Sequence, residues 1–279
     1  WSPLLRLPQG HWSSGGQFLP EQAAPSGGVW VQLPCCEGVC ALPLQRSHAP
    51  LGSALPVRHP VSVEVVSSGV WRLSNGVVSA DVSAHGLIQL RDANGVPQLS
   101  EPMRLLRFSD RGEFWDAWDL AADYRQHPLP MAARWSAELV ESGPLAARIV
   151  LRTIAGLSQV RLDLVLKADS PWLEAQLSVQ WQQTHELLRL ELPLNSPAVR
   201  WAADTSGGVI ERPAQAFTPF EQERWELPVI SWLAAEAEAP GGGMAVLLEG
   251  PQGVDASANH MGVSLLRGPT WPDPSADHG

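Results

Sequence analysis

In three runs between residues 160 and 194 the chain alternates apolar and polar side chains with a period of two. Val160, Leu162, Leu164 and Leu166 are interleaved with Arg161, Asp163 and Lys167, and Leu173, Ala175, Leu177, Val179 and Trp181 with Glu174, Gln176, Ser178, Gln180 and Gln182. Leu188, Leu190, Leu192 and Leu194 continue the pattern. Successive side chains of a strand point to opposite faces, so this pattern predicts strands with one buried and one wet face. Upstream, Asn75-Gly76, His85-Gly86 and Asn94-Gly95 each separate short apolar runs. Such pairs tolerate the positive φ of a tight turn, and they predict a meander of hairpins. Further strands are expected near 208–211, 228–234, 243–249 and 262–267. The sequence offers one short helical turn, in "AWDLAADY". A dozen or more antiparallel strands point to an all-β fold, a large antiparallel β-sandwich, and no fixed-period repeat suggests a propeller. Residues 1–60, rich in Pro, Gly and Ser around the apolar patch "VWVQLP", read as an extended segment with one or two strands leading into a β-sandwich domain at 61–279.

Composition narrows the function. A net charge of −10 with no Lys/Arg run argues against nucleic acid and against an anionic membrane surface. No apolar run approaches the length of a membrane span. Tryptophan outnumbers tyrosine 13 to 1; indole faces stack on sugar rings, but they also fill sandwich cores, which is the commoner use. Cys35, Cys36 and Cys40 are neither a disulfide framework nor a closed zinc set, and are expected to be reduced thiols of a cytoplasmic protein. The chain begins at Trp1, so the absence of a leader carries no information.

Candidate chemistry is sparse. The eight histidines share no metal-binding spacing. There is no G-x-S-x-G elbow, and "APGGGMAVLLEG" lacks the Lys and Ser/Thr of a phosphate loop. The carboxylates of "FWDAWDLAADYRQH" remain. Asp116 and Asp119 lie three apart, and would share one side of a helical turn. A pair about 5 Å apart suits retaining glycoside chemistry. Equally, the aspartates could accept backbone N–H bonds in a loop that Trp115 and Trp118 pin to the core.

Longer motifs separate these readings. "RFSDRGEFWDAWDLAADY", "GGVIERP", "WELPVISWL" and "VSLLRGPTWPDPSADHG" occur in this order, and each resembles a motif of the C-terminal β-domain of glycoside hydrolase family 38 α-mannosidases. The resemblance covers residues 65 to 279. One departure is "LEGPQGVD", with Glu249, Gly250 and Gln252 where the family often has an N-D-x-x-Y-G run.

The resemblance implies a galactose-mutarotase-like supersandwich belonging to a two-part enzyme. The family hydrolyses α-mannosides with retention, using a zinc ion and two carboxylates in an N-terminal barrel. On that basis this chain carries no catalytic residue, no metal ligand and no cofactor of its own; its partners are its own barrel and α-mannoside glycans. Arg267, possessing a backbone carbonyl that can reach substrate, is the first substrate-binding candidate. Asp116, Trp118 and Asp119 are the others, with Trp115 and Trp118 anchoring their loop. Asp273 and Asp277 are expected to cap turns of the final Pro-rich loop. Two alternatives stay open: a stand-alone carbohydrate-binding sandwich, motivated by the tryptophan excess, and an epimerase, for which no His/Glu spacing argues.

Overall fold

The computed structural model describes residues 2–35, 38–48, 52–111, 117–238 and 242–271. Asp116 and Trp115, and the expected caps Asp273 and Asp277, lie outside the described residues. The chain forms two compact units, one of Trp1–Val96, Trp135–Arg152 and Arg161–Ser178, the other of Pro97–Arg134, Thr153–Val160 and Val179–Gly279. The all-β expectation holds: the described strands form six sheets, and every strand pair within them is antiparallel.

In the first unit the expected meander is present as a four-stranded sheet, in the order Gly86–Arg91, Ser79–Ser83, Val70–Ser74, Ser62–Ser67. The turn between Val70–Ser74 and Ser79–Ser83 is fixed by Asn75, a buried side chain. The Asn75 carbonyl oxygen accepts the N–H groups of Val77 and Val78, and its amide donates to the carbonyls of Lys167 and Ser170. Gly76 follows at φ 78°, a conformation that favours glycine. The N-terminal segment is more ordered than its composition suggests, with six short strands in two three-stranded sheets around Leu19, Val29 and Val31. Gln22 ties it down. Its amide donates to Glu141 and to the Ala146 carbonyl, and its oxygen accepts the Leu145 and Ala146 N–H groups. A Cβ on Gly143 would lie 2.5 Å from the Gln22 amide, so a side chain there would break this close approach.

In the second unit a six-stranded sheet runs Pro128–Leu129, Arg104–Ser109, Glu186–Pro193, His260–Arg267, Gln252–Ala256, Leu227–Val229. A four-stranded sheet runs Gly208–Pro213, Ala198–Thr205, Trp232–Ala237, Gly243–Leu247. The two share one apolar cluster that includes Trp201, Leu233, Val254, Met261 and Val263, the packing of sheet on sheet that alternation predicts. The strand expected over 228–234 is two strands, broken at Ile230 and Ser231. The Asp204 carboxylate accounts for the break, accepting the N–H groups of Ile230, Ser231 and Trp232 and the Ser231 hydroxyl.

Desolvation raises the Asp204 pKa, but the hydrogen bonds from Ser231, Trp232 and Ile230 outweigh it and hold the carboxyl at about 2. A folded pKa below the unfolded value of about 4 means the stabilisation is present above pH 4 and lost as pH falls towards 2. Asp204→Ala is therefore expected to be less stable than wild type at pH 7. Chemical denaturation at a series of pH values should show the two converging between about pH 4 and pH 2.

Three expectations need correction. "AWDLAADY" forms no α-helix; a 3-10 turn covers Tyr124–Gln126, and the α-helix of this unit is Pro219–Gln222. The reason is local: Thr218 and Glu221 form a reciprocal capping box with Pro219 in the first turn, whereas the Asp123 side chain, at the N-cap of the 3-10 turn, makes no capping bond. Second, the strand Glu186–Pro193 has no wet face, since Arg189 and Glu191 are both buried. Third, Cys40 is disulfide-bonded, so the expectation of reduced thiols fails there. No described helix is long and apolar enough to cross a membrane.

Candidate functional site

One end of the six-stranded sheet gathers the residues singled out from the sequence. Three strands end there in register, Ser109 facing Glu186 and Leu187 facing Arg267. Asp110 follows the first strand, and its N–H donates to the His185 carbonyl at 2.8 Å. The Arg267 guanidinium donates through Nε to Asp110 Oδ2 at 2.6 Å and through a terminal nitrogen to the Asp119 carbonyl at 2.7 Å. Arg267 is thus a clamp. It joins the end of its own strand to the acid after Ser109 and to the backbone of the "WDAWD" segment. The Asp110 side chain is only 2% exposed while that of Arg267 is 23% exposed, so the carboxylate is sealed inside and the guanidinium faces partly outward.

The candidates therefore divide. Arg267 and Asp119 are brought together, but through the Asp119 carbonyl; the Asp119 carboxylate accepts the Leu120 N–H at 2.8 Å. Trp118, beside it, is 78% exposed and so does not anchor the loop as expected, because an indole standing in water gains little from burial. The anchors are Leu120 and Tyr124, buried in a cluster with Phe108 and Leu187, and Trp225, whose indole N–H donates to the Leu120 carbonyl.

This segment lies over the sheet face that carries Arg189 and Glu191, which explains their burial. Arg189 is 1% exposed and meets Glu226, Asp255 and the Ser264 hydroxyl. Arg125, in the 3-10 turn, reaches Asp255 at 2.6 Å and Glu191 at 3.4 Å. Both guanidinium carbons stand 5.4 Å from the Tyr124 ring centroid, and Phe108 meets the same ring edge-on at 5.2 Å. Gly262 makes this possible, since a Cβ there would collide with the Asp255 carboxylate and the Arg189 guanidinium. Burial opposes ionisation of Asp255. The hydrogen bond from His260 and the Arg189 and Arg125 charges outweigh it and hold its pKa below the usual carboxylate value.

Sequence reasoning missed Asp110, Tyr124, Arg189 and Asp255. Asp110 stood inside the quoted motif, at a strand end, and Tyr124 was the only tyrosine of the chain. For Arg189 the alternation pattern pointed the wrong way, and no pattern in the sequence singled out Asp255. Chemically, the arrangement holds a chain segment in place: its acids are engaged by arginine, histidine or backbone N–H groups, and its most exposed aromatic face is Trp118.

Comparisons with known proteins bear on the family and the fold. Residues 73–275 match the family described as "Glycosyl hydrolases family 38 C-terminal domain". The human protein "Alpha-mannosidase 2C1" is 26% identical over 269 residues, covering 94% of this chain and 25% of its own length. "Alpha-mannosidase G" of Dictyostelium discoideum is 29% identical over 181 residues, covering 63% of this chain and 16% of its own length. This chain thus spans about a quarter or less of these relatives. A solved glycosyl hydrolase family 38 protein from Enterococcus faecalis superposes with a TM-score of 0.64 over 96% of this chain and 35% of its own, at 11% identity. An α-mannosidase from the same organism gives 0.61 over 95% of this chain and 33% of its own, at 13% identity. At such identities the likeness is one of fold.

Proposed function

Because this chain belongs to the family of glycosyl hydrolases family 38 C-terminal domains, we propose that it is the C-terminal β-domain of a zinc-dependent retaining α-mannosidase. In this reading bond cleavage is performed by a barrel outside this chain. The observation that carries the reading is the family match over residues 73–275, with relatives named as α-mannosidases at both ends of the animal–amoeba range. Among the described residues, no three or more His, Cys, Asp or Glu side chains gather in a way that could hold a metal ion.

What this chain contributes is support and recognition. The Arg267 clamp fixes the backbone at Asp119 and so holds Trp118 outward, where its face can stack on the C–H face of a mannoside ring. The exposed Trp118 also favours a second reading, a sugar-binding sandwich that works by itself.

Hydrolysis of an aryl α-mannoside with added zinc tests the proposal, on this chain and on the longer reading frame containing it. Activity is expected in the longer protein alone. Turnover by this chain at an enzyme-like rate would place catalysis within it and overturn the proposal. The second reading predicts quenching of tryptophan fluorescence when this chain is titrated with oligomannosides, and a flat titration removes it.

A further inference from the structure

We infer that Asp110, which the α-mannosidase reading does not require, is a positioning residue for the saccharide-facing loop and acts through Arg267. The inference rests on that reading for its substrate class and on the geometry for the residue.

Three costly choices converge at this end of the sheet. Asp110 is buried, and while Oδ2 accepts the Arg267 Nε–H, Oδ1 is buried with no hydrogen-bond partner. An unmet buried carboxylate oxygen costs free energy. His185, whose carbonyl accepts the Asp110 N–H, has φ 54°, a conformation rare for a residue with a side chain. Its N–H donates to the Gly268 carbonyl at 2.6 Å. At Gly268 a Cβ would lie 2.2 Å from the Gln183 carbonyl oxygen, so this position excludes any side chain.

Stability alone does not account for the set. A buried ion pair is weak evidence of stabilisation, because desolvation offsets the attraction, and a left-handed histidine adds strain. What the three choices achieve is placement. His185 and Gly268 fix the backbone on both sides of the Asp110–Arg267 pair, Asp110 fixes the guanidinium, and the guanidinium holds the Asp119 carbonyl next to exposed Trp118. Without the carboxylate, Arg267 loses the buried partner that orients its Nε, and the loop is less fully ordered before a saccharide binds. Ordering at binding weakens ground state and transition state alike, which raises KM and spares kcat.

The test uses the longer reading frame, with Asp110→Asn, Arg267→Gln and the double variant assayed on an aryl α-mannoside. Asp110→Asn is expected to raise KM about tenfold with kcat within about twofold of wild type. Because Asp110 acts through Arg267, the double variant should lose no more than Arg267→Gln alone. If Asp110→Asn fails to fold, Arg267→Lys supplies the same readout. A lysine ammonium lacks the fixed planar fork that spans Asp110 and the Asp119 carbonyl, and a KM rise in a folded protein is again expected. An unchanged KM, a fall confined to kcat or additive losses in the double variant would each overturn the inference while leaving the proposed function intact. Inactivity of the wild-type longer protein overturns both.

Discussion

Replacing Arg189 by Met is expected to destabilise the second unit by about 3–5 kcal/mol, the cost of breaking a buried ion pair from one side. Arg189 is 1% exposed and faces two carboxylates, Glu226 and Asp255, together with the Ser264 hydroxyl. Removing the guanidinium leaves those acids partly buried with less positive charge to meet them. Arg125 and His260 still reach Asp255, so Glu226 is left the more exposed to the loss. Methionine fills most of the volume, so the loss reports charge more than cavity. Two controls isolate that cause. Adding Glu226→Gln to Arg189→Met should recover part of the loss, because one stranded charge is gone. The loss should also shrink in acid. Asp255 has a depressed pKa in the folded protein, so its stabilisation is present above the unfolded carboxylate value and disappears as pH falls through the folded one. Urea denaturation at pH 7 and in acid gives both comparisons. A loss unchanged in acid would point to packing instead.

Tyr124 gives a contrast of sign. Its ring is fully buried against Phe108 and lies 5.4 Å from the guanidinium carbons of Arg125 and Arg189, yet its hydroxyl is buried without a hydrogen-bond partner. Burial pushes its pKa up to about 12. Tyr124→Ala is expected to cost about 3–5 kcal/mol by opening a cavity under the loop. Tyr124→Phe keeps the ring and both cation–π contacts while deleting the unmet hydroxyl, so stability should stay level or rise. Thermal and urea unfolding of the two variants settle the matter. A large loss in Tyr124→Phe would show that the hydroxyl has a function in the fold.

Legibility differed by element. The hairpins at Asn75-Gly76 and His85-Gly86 were readable because a positive φ at glycine is a local demand that no distant contact can replace. Leu188, Leu190 and Leu192 marked a strand correctly for the same kind of reason. The capping box of Pro219–Gln222 is also local, carried by Thr-Pro-Phe-Glu at residues 218–221. Within the candidate site, Arg267 and Asp119 were found from motifs. Their actual contact, guanidinium to backbone carbonyl, carries no side-chain signature at position 119 and was not readable.

The sequence by itself determined that this protein is built of antiparallel strands and that it belongs with the family 38 C-terminal domains, because period-two alternation, Asn-Gly turns and ordered motifs are local properties of the chain. Only the tertiary structure decided that Arg189 and Glu191 are buried, that Trp118 is exposed and that Asp110 holds Arg267. A strand's own residues state which side chains share a face, but what covers that face is supplied by segments far along the chain. Here residues 117–127 cross a face that looked wet and make its charges an interior network.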